Sequence, residues 1–389
     1  MTPNPYELPA MVNAHSHAFQ RDLRGAAERP APGAHAADDF WSWREAMYRL
    51  AGGHDPDSMR ETAGRVYAEM VAAGYGAVGE FHYVHHQPDG TPYDEPNAMA
   101  IAVAEAARAA GLVVVLLPAA YHRAGWDGGD LPPSPGQRRF CDPHVDAFLE
   151  RVDALRAWAE PRDGVHVGVA AHSVRAVPAS WLEAIAAYSE EHGLVRHVHA
   201  HEQPRELEEC RAEHGISPIE LLDRSGFLGP RTSLIHGIHV DAGEIRRLAE
   251  SDTVVVSCPT TEGSLGDGHF PALAYRDAGA RIAIGSDSQV RVDPFEETRE
   301  LETLARRERR TRHALLATYG DLWAEVARNG RASLGLDDAG TIAVDRDHPD
   351  LRGVADADLP LAIATCASAG VVAGLALPDA RPGPGRDAG

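Results

Sequence analysis

Eight short apolar runs recur along the chain, and amphipathic segments separate them. The runs span residues 10–14, 76–79, 112–117, 165–171, 194–198, 232–235, 253–256 and 281–284. Most of the intervening segments repeat their apolar residues at helical spacing, as over residues 58–73, 96–110, 144–159, 179–192 and 242–250. Buried strands that alternate with helices predict a parallel sheet. Eight such units predict an α/β fold, the (β/α)8 or TIM-like barrel.

Polar side chains follow most of these runs directly. In a barrel of this type the carboxyl ends of the strands meet at one face, and that face carries the chemistry. The polar residues at the ends of the runs are His15, His17, Glu80, His82, His172, Arg175, His199, Glu202, His236, Ser257 and Asp287. The competing fold is a doubly wound open sheet, whose first strand normally leads into a glycine-rich nucleotide turn. His-Ser-His stands at that position here, over residues 15–17.

The chain divides into three predicted parts. Residues 1–335 are predicted to form the barrel, which carries the metal site and ends in a charged helix over 296–312 and a helix around 319–334. Residues 336–378 hold a few short strand-like runs and predict a reduced β appendage packed on the barrel. Within it, the short Ala- and Gly-rich stretch 361–377 predicts buried strands or a helix rather than a membrane span. Residues 379–389 are rich in Pro, Gly, Arg and Asp and predict disorder.

The charge of the chain limits its partners and its chemistry. A formal net charge of −21 argues against nucleic acid or an anionic membrane as partner, because both favour basic patches. A small anionic substrate held by local arginines remains compatible with this charge. All 37 basic residues are arginine. The absence of lysine excludes a Schiff-base lysine, a Walker-type phosphate loop and a two-metal site bridged by a modified lysine.

Cysteine usage and the first residues bear on the compartment. The four cysteines are scattered and form no CxxC pair, which is typical of reduced thiols in a cytoplasmic protein. No basic segment followed by an apolar segment stands at the start, so no signal peptide is predicted. We therefore expect a cytoplasmic protein.

A metal site is predicted from three strand ends. His15 and His17 lie one residue apart at the end of the first run, so both imidazoles project from the same side of an extended strand. His199 after the fifth run and Asp287 after the eighth complete a set of nitrogen and oxygen ligands that suits zinc, or equally iron. A divalent ion held there lowers the pKa of a water molecule and supplies hydroxide near neutral pH.

The fifth run offers three alternating histidines, His197, His199 and His201. We choose His199 as the ligand because Glu202 follows three residues later, where a turn places its carboxylate to donate a proton to a leaving nitrogen. His197 and His201 are expected to be structural or to support the ligands. His236 is expected as a neutral imidazole that orients or deprotonates water.

Four residues carry weaker or alternative interpretations. His239 lies farther into its loop and is expected to be solvated. Asp287 has the alternative role of capping the following helix. Arg175, and Arg44 in the sequence Phe-Trp-Ser-Trp-Arg, are candidates for holding a carboxylate in bidentate fashion, although most arginines must be surface charge.

Seven stretches match a known pattern. They are residues 13–21 (Asn-Ala-His-Ser-His-Ala-Phe-Gln-Arg), 40–45 (Phe-Trp-Ser-Trp-Arg-Glu), 80–86 (Glu-Phe-His-Tyr-Val-His-His), 172–177 (His-Ser-Val-Arg-Ala-Val), 199–203 (His-Ala-His-Glu-Gln), 265–268 (Leu-Gly-Asp-Gly) and 284–288 (Ile-Gly-Ser-Asp-Ser). With them the chain resembles the single-metal deaminases of the amidohydrolase superfamily, and among these the formimidoylglutamate deiminases of histidine degradation. The resemblance extends over essentially the whole barrel. The first, third and fourth stretches are its most specific parts.

The resemblance implies a reaction and a set of roles. The expected reaction is hydrolytic deimination of N-formimino-L-glutamate, a small dianionic substrate, to N-formyl-L-glutamate and ammonia by a homodimer. One zinc ion would be bound by His15, His17, His199 and Asp287. Glu202 would protonate the imino nitrogen, while His236 and Asp287 handle the proton of the water. The residues expected around the substrate are Gln20, Arg44, Tyr83, His172 and Arg175, with the arginines and Tyr83 near its carboxylates.

The chain also departs from this family, and other functions remain open. Members usually carry a longer N-terminal segment and a fuller C-terminal part of a small β-sandwich, and they have a small apolar residue where His201 stands. The main alternative is a single-metal deaminase acting on a nucleobase-like ring or another amidine. Such ring sites need aromatic stacking and amide groups rather than arginines. The alternative from a different class is a catalytically silent barrel that binds a metal or a ligand.

Overall fold

A computed structural model describes residues 6–27 and 39–378. Its strands are β1 (Tyr6–Pro9), β2 (Met11–Ser16), β3 (Tyr75–His82), β4 (Val113–Ala120), β5 (Gly125–Trp126), β6 (Asp130–Leu131), β7 (Val165–Val167), β8 (Val169–Ser173), β9 (Arg196–Ala200), β10 (Thr232–His236), β11 (Val254–Ser257), β12 (Arg281–Ile284), β13 (Thr341–Val344) and β14 (Val372–Ala376). The tail over 379–389, predicted to be disordered, lies outside the described residues.

The helices of the described residues lie mainly between the strands. They are α1 (Phe40–Gly53), α2 (Pro56–Ala73), α3 (Ala98–Ala110), α4 (Val145–Ala159), α5 (Ala179–Glu191), α6 (Pro204–His214), α7 (Pro218–Arg224), α8 (Ala242–Glu250), α9 (Pro259–Leu265), α10 (Ala272–Asp277), α11 (Pro294–Arg309), α12 (Leu316–Tyr319), α13 (Leu322–Leu334) and α14 (Leu359–Thr365). None of these helices has both the length and the apolar character that crossing a membrane requires.

The predicted (β/α)8 barrel is confirmed. Its parallel strands follow the order β2-β3-β4-β8-β9-β10-β11-β12, and each pairs with the next in register along the chain. The short strand β7 pairs with the first half of β4 and leads through Gly168 into β8, so the two occupy one position in the barrel. All eight predicted apolar runs overlap a barrel strand, because these strands are buried and most of their residues are apolar.

The barrel closes between its first and last strands, β2 and β12. The backbone N–H groups of Ser286 and Asp287 donate to the His15 carbonyl at 3.1 and 3.0 Å, and the N–H of His17 donates to the Asp287 carbonyl at 3.0 Å. Gly285 allows this approach, since a Cβ atom there would lie 2.8 Å from the His15 carbonyl oxygen. The seam therefore runs through three residues that the sequence analysis assigns to the metal site or its strand ends.

Helix α13 covers the opposite end of the barrel, where the strands begin. Gly330 packs closely on Val12 of β2, and the Leu334 side chain packs on Gly79 of β3. The Ser333 carbonyl accepts a hydrogen bond from His197 Nε2 of β9 at 3.0 Å. Because these contacts reach strands on different sides of the barrel, its amino-terminal end is blocked and only the carboxyl end is open.

The small sheet differs from the predicted appendage. Its order is β1-β13-β14, and β1 pairs antiparallel with β13, so the strand Tyr6–Pro9 belongs to this sheet although residues 1–335 were assigned to the barrel. The stretch 361–377, expected to form buried strands or a helix, contains the end of α14 and the strand β14, and most of β14 is exposed or half-buried rather than buried. The Trp323 indole donates to the Pro9 carbonyl at 2.9 Å and fixes β1 to α13.

Closure of the barrel is tested by Gly285→Ala. We expect the added methyl group to lower the free energy of unfolding by about 1–3 kcal/mol, because it would meet the backbone of His15 rather than a movable side chain. Urea denaturation followed by circular dichroism measures the change. Gly64→Ala is the control, since nothing lies within 4 Å of a Cβ atom there and alanine favours the interior of α2. Equal stability of the two variants would contradict the role of Gly285 in the seam.

Candidate metal centre and active site

Four buried side chains converge at the carboxyl ends of β2, β9 and β12. Possible ligand atoms of His15, His17, His199 and Asp287 all lie within 4.8 Å of one another. His15 Nε2 lies 3.0 Å from His199 Nε2, and His15 Nε2 and His17 Nε2 each lie 3.4 Å from Asp287 Oδ1. The structure therefore brings together the whole predicted ligand set.

The hydrogen bonds of these histidines determine which nitrogen faces the cluster. His17 Nδ1 donates to the Phe81 carbonyl at 2.8 Å, and His199 Nδ1 donates to the His172 carbonyl at 2.9 Å. A carbonyl oxygen only accepts, so Nδ1 carries the proton and Nε2 presents its lone pair to the cluster. Burial lowers the pKa of all three imidazoles, which keeps them neutral. Three neutral imidazoles and one carboxylate fit a divalent cation such as zinc.

Two strand ends and a loop at this site adopt an uncommon backbone conformation. His201, His236 and Asp287 have φ values of 59°, 72° and 47°, in the left-handed region that favours glycine. A left-handed residue other than glycine costs about 1 kcal/mol or more. His236 is the last residue of β10, and Asp287 lies three residues after the end of β12; both side chains line the cavity beside the metal cluster.

Three carboxylates surround His236. Its Nε2 atom lies 3.5 Å from Glu202 Oε1 and 3.8 Å from Asp287 Oδ2, and its Nδ1 atom lies 3.3 Å from Glu262 Oε1. Glu262 is itself held by the Cys258 N–H at 2.7 Å and the Ser257 hydroxyl at 2.9 Å. Glu262 was not predicted from the sequence, because a single glutamate in the short helix α9, which follows β11, has no distinctive spacing.

The charges of this group suit proton transfer. Burial raises the pKa of Glu202, and the neighbouring carboxylates of Asp287 and Glu262 act in the same direction. Burial opposes a charge on His236, but Glu202, the hydrogen bond to Glu262 and Asp287 outweigh it and raise the pKa of His236 to about 10. These charges favour a protonated His236 rather than the neutral imidazole expected from the sequence. A divalent cation beside Asp287 acts in the opposite direction.

A small cavity opens beside the metal cluster. Its walls include all five residues expected around a substrate: Gln20, Arg44, Tyr83, His172 and Arg175. They also include His17, His199, Glu202, His236 and Asp287. Phe40, Trp43, Met47, Tyr48 and Leu265 complete the lining. Apart from His15, which lies behind the lining, the expected metal, proton-transfer and substrate residues thus face one space.

Arg44 and Arg175 are unusual among the arginines of this chain. Neither lies within 4 Å of a carboxylate oxygen in residues 6–27 and 39–378, whereas most of the other buried guanidinium groups there are paired or bound to carbonyl groups. Both have a buried Nε atom with no hydrogen-bond partner among the described residues. Two unpaired cations in the wall of a small cavity suit an anionic ligand.

The position of Arg175 is fixed by Arg123, which the sequence analysis did not identify. Arg123 is almost fully buried, and its guanidinium donates to the carbonyl groups of Arg175 at 3.1 Å and Val174 at 3.2 Å. It also binds both oxygens of Glu213 at 2.7 Å and pairs with Asp130. Arg123 thereby joins the loop after β8 to α6 and to the β5–β6 hairpin. Nothing in its local sequence distinguishes it from a surface arginine.

His197 in β9 and His201 just after it face away from the metal cluster. His197 Nε2 donates to the Ser333 carbonyl below the site, as described above. His201 Nδ1 donates to the His239 carbonyl at 2.8 Å, and its Nε2 accepts from the Ile219 N–H at 3.2 Å. His239 is itself partly buried and donates to the Asp267 carbonyl at 2.8 Å, so the expectation that it is merely solvated was wrong. Asp287 caps no helix; the cap of α11 is Asp293.

Comparisons with known proteins agree with the geometry. The sequence model of the Amidohydrolase family matches residues 6–348. The chain is 41% identical over 308 residues to a formimidoylglutamate deiminase of Pseudomonas aeruginosa, and the match covers 79% of the chain and 66%, or just under two thirds, of that protein. It is 30% identical over 364 residues to a 5-methylthioadenosine/S-adenosylhomocysteine deaminase of Halobacterium salinarum, covering 90% of the chain and 75% of the relative.

Solved structures show the same fold. An amidohydrolase from Brucella melitensis superposes with a TM-score of 0.85 at 33% identity, covering 94% of this chain and 84% of that chain. An adenosine deaminase from Xanthomonas campestris, solved with bound zinc, superposes with a TM-score of 0.77 at 21% identity, covering 96% and 80%. In this chain, the cluster of three histidines and one aspartate could hold a metal ion.

The ligand cluster predicts the metal content of a variant. We expect His199→Asn to weaken metal binding by at least about tenfold, since the loss even of residues that only support a ligand costs this much. Mass spectrometry with an inductively coupled plasma measures metal per chain after dialysis. His269→Asn is the control, because His269 is exposed and pairs with Glu308 away from the cavity. Full metal content in His199→Asn would contradict the proposed ligand set.

Proposed function

The chain belongs to the amidohydrolase family, and from this premise we propose that it hydrolyses N-formimino-L-glutamate to N-formyl-L-glutamate and ammonia, as a step of histidine degradation. The observation that carries the proposal is the pair of unpaired guanidinium groups, Arg44 and Arg175, in the same cavity wall as the metal cluster. The similarity to a formimidoylglutamate deiminase supports it. A substrate with two carboxylates and one amidine needs both the arginines and a hydrolytic centre.

Each reacting group of the cavity receives a role in this proposal. A divalent ion on His15, His17, His199 and Asp287 would supply a polarised water molecule as the nucleophile. Arg44 and Arg175 bind the carboxylates and hold the formimino carbon near Asp287 and His236. Gln20 donates through Nε2 to the Tyr83 hydroxyl at 2.9 Å, and that hydroxyl donates to Met47 Sδ at 3.3 Å, so these contacts hold Tyr83 in the cavity wall.

Proton transfer in the proposal depends on Glu202 and His236. As the water oxygen adds to the formimino carbon, Asp287 takes the first proton that it loses. His236 shares this proton where a divalent cation beside Asp287 offsets the carboxylates that favour its protonated form. Glu202 donates a proton to the imino nitrogen, which becomes an amino group. The proton taken from the water then passes to this amino nitrogen, the hydroxyl returns its own proton to Glu202, the carbon–nitrogen bond breaks, and ammonia leaves as the carbonyl of N-formyl-L-glutamate forms. The raised pKa of Glu202 keeps a proton available for this step.

The alternative substrate is a nucleobase-like ring or another amidine. The aromatic residues Phe40, Trp43 and Tyr48 in the cavity wall favour this alternative, because they offer faces for stacking. Arg44 and Arg175 disfavour it, since a neutral ring would leave both guanidinium groups without an anion. Assays for ammonia release from guanine, cytosine and adenosine, beside N-formimino-L-glutamate, separate the two. Release from a nucleobase alone would overturn the proposal.

The finer parts of the proposal have separate support. One zinc ion is proposed because the described ligand cluster has three imidazoles and one carboxylate. A cytoplasmic location is proposed from the four thiols, none of which is in a disulfide. The homodimer rests on the family resemblance alone.

The role of Glu202 is tested by Glu202→Gln. We expect kcat on N-formimino-L-glutamate to fall by at least about a hundredfold, because the amide cannot donate the acidic proton, while the metal content stays unchanged. Glu250→Gln, at an exposed position at the end of α8, is the control and retains full activity. Turnover near that of the control would dismiss Glu202 as the proton donor.

The role of Arg175 in substrate binding is tested by Arg175→Met. We expect the KM for N-formimino-L-glutamate to rise by at least about tenfold with a smaller fall in kcat, since a buried charge-assisted hydrogen bond is lost. Steady-state kinetics at constant ionic strength give both constants. The control is Arg108→Met, which changes an exposed arginine of α3 outside the cavity wall. An unchanged KM would remove Arg175 from the binding site.

A further inference from the structure

Three guanidinium groups converge on one indole at the mouth of the cavity. The Cζ atoms of Arg44 and Arg205 each lie 4.6 Å from the ring centroid of Trp41, and that of Arg175 lies 5.6 Å from it. We propose that Trp41 and Arg205 form an outer subsite beside Arg44, in which Arg205 is a further cation for the substrate carboxylate that lies farther from the reacting carbon. The proposal rests on the proposed function and names a specificity-determining residue for it.

The outer subsite shares two wall residues, Arg44 and Arg175, with the inner cavity. A second, more open groove is lined by Trp41, Arg44, Arg175 and Arg205, together with Trp126 and Leu131 of the β5–β6 hairpin. Arg44 and Arg175 also line the inner cavity, whereas Arg205 lines only the groove. The order from the metal cluster outward is therefore Arg175 and Arg44 first and Arg205 last. A ligand must extend past the first two arginines before it reaches the third.

The acidic residues that line the groove do not pair with all of its guanidinium groups. Three carboxylates face the same space, from Asp127, Glu208 and Glu209. Only Glu209 contacts one of the arginines, accepting from Arg205 Nε at 2.7 Å. This bond uses Nε alone, so the two terminal nitrogens of Arg205 have no hydrogen-bond partner among the described residues. They are free to bind a carboxylate, which would also offset the mutual repulsion of the three guanidinium groups.

The position of Trp41 explains how an exposed arginine can act selectively. The Arg205 side chain is 61% exposed, and an exposed arginine usually samples many conformations. Contact with the indole face and with Glu209 restricts it to one direction. The restricted Arg205 increases the affinity for a diacid that is long enough to reach it, and it does not change the affinity for a shorter diacid. The outer subsite thus selects the chain length of the acid.

The test compares two amidines that differ by one methylene group. Arg205→Met is assayed as the metal-loaded protein on N-formimino-L-glutamate and on N-formimino-L-aspartate. We expect kcat/KM to fall by about tenfold for the glutamate compound, through KM, and by less than about twofold for the aspartate compound. Arg224→Met is the matched control, because Arg224 is 62% exposed and also forms an ion pair with a glutamate one helical turn away. It is expected to leave both values unchanged.

Two outcomes would overturn the subsite. An equal loss for both compounds would show that Arg205 only attracts anions in general, and no loss for the glutamate compound would remove it from recognition. Calorimetric titration with N-formyl-L-glutamate gives a second measure, in which Arg205→Met is expected to weaken binding by about tenfold. If the unaltered protein released no ammonia from N-formimino-L-glutamate, the proposed function would fail, while this titration would still decide the subsite.

Discussion

The seam between β2 and β12 is the contact on which both the barrel and the metal cluster depend. Closure requires the His15 carbonyl to accept from two N–H groups of the loop that carries Asp287. The same approach brings the side chains of His15 and Asp287 within 3.4 Å. Closing the sheet and assembling the ligands are therefore one event. A cation bound by this set stabilises the closed barrel, because the unfolded chain has no preformed site.

A second organising feature is the way the chain distributes its charges. An excess of acidic residues covers the protein as a whole, with a formal net charge of −21. Most arginines with buried guanidinium groups are used to join segments, as Arg123 joins the loop after β8 to α6 through Glu213. Arg44 and Arg175 have no such partner in the part of the chain that the structure describes. Most other buried arginines form structural ion pairs or hydrogen bonds. The lack of such a partner among the described residues therefore distinguishes Arg44 and Arg175, and composition alone does not reveal it.

The sequence was sufficient for the features that follow from burial and spacing. Buried parallel strands read as apolar runs, so all eight barrel positions were predicted, and the polar residues after them indicated His15, His17, His199 and Asp287. Features that depend on long-range contact were missed. The strand Tyr6–Pro9 is too short for its pairing with β13 to be predicted from its sequence. Glu262 and Arg123 contact partners that are distant in the sequence, so neither was predicted. Helix α13 begins at Leu322 rather than near 319, because Gly320 has a φ of 67° and Asp321 caps the next helix.

The left-handed backbone at His236 and Asp287 has a consequence for how this protein can change. Glycine would relieve the strain at either position, yet it would remove a side chain that the cavity needs. At these two positions, selection for stability to heat therefore favours glycine, whereas selection for turnover favours histidine and aspartate. Lineages that gain heat resistance are expected to do so through the helices and the outer loops, leaving the strained rim of the barrel as it is.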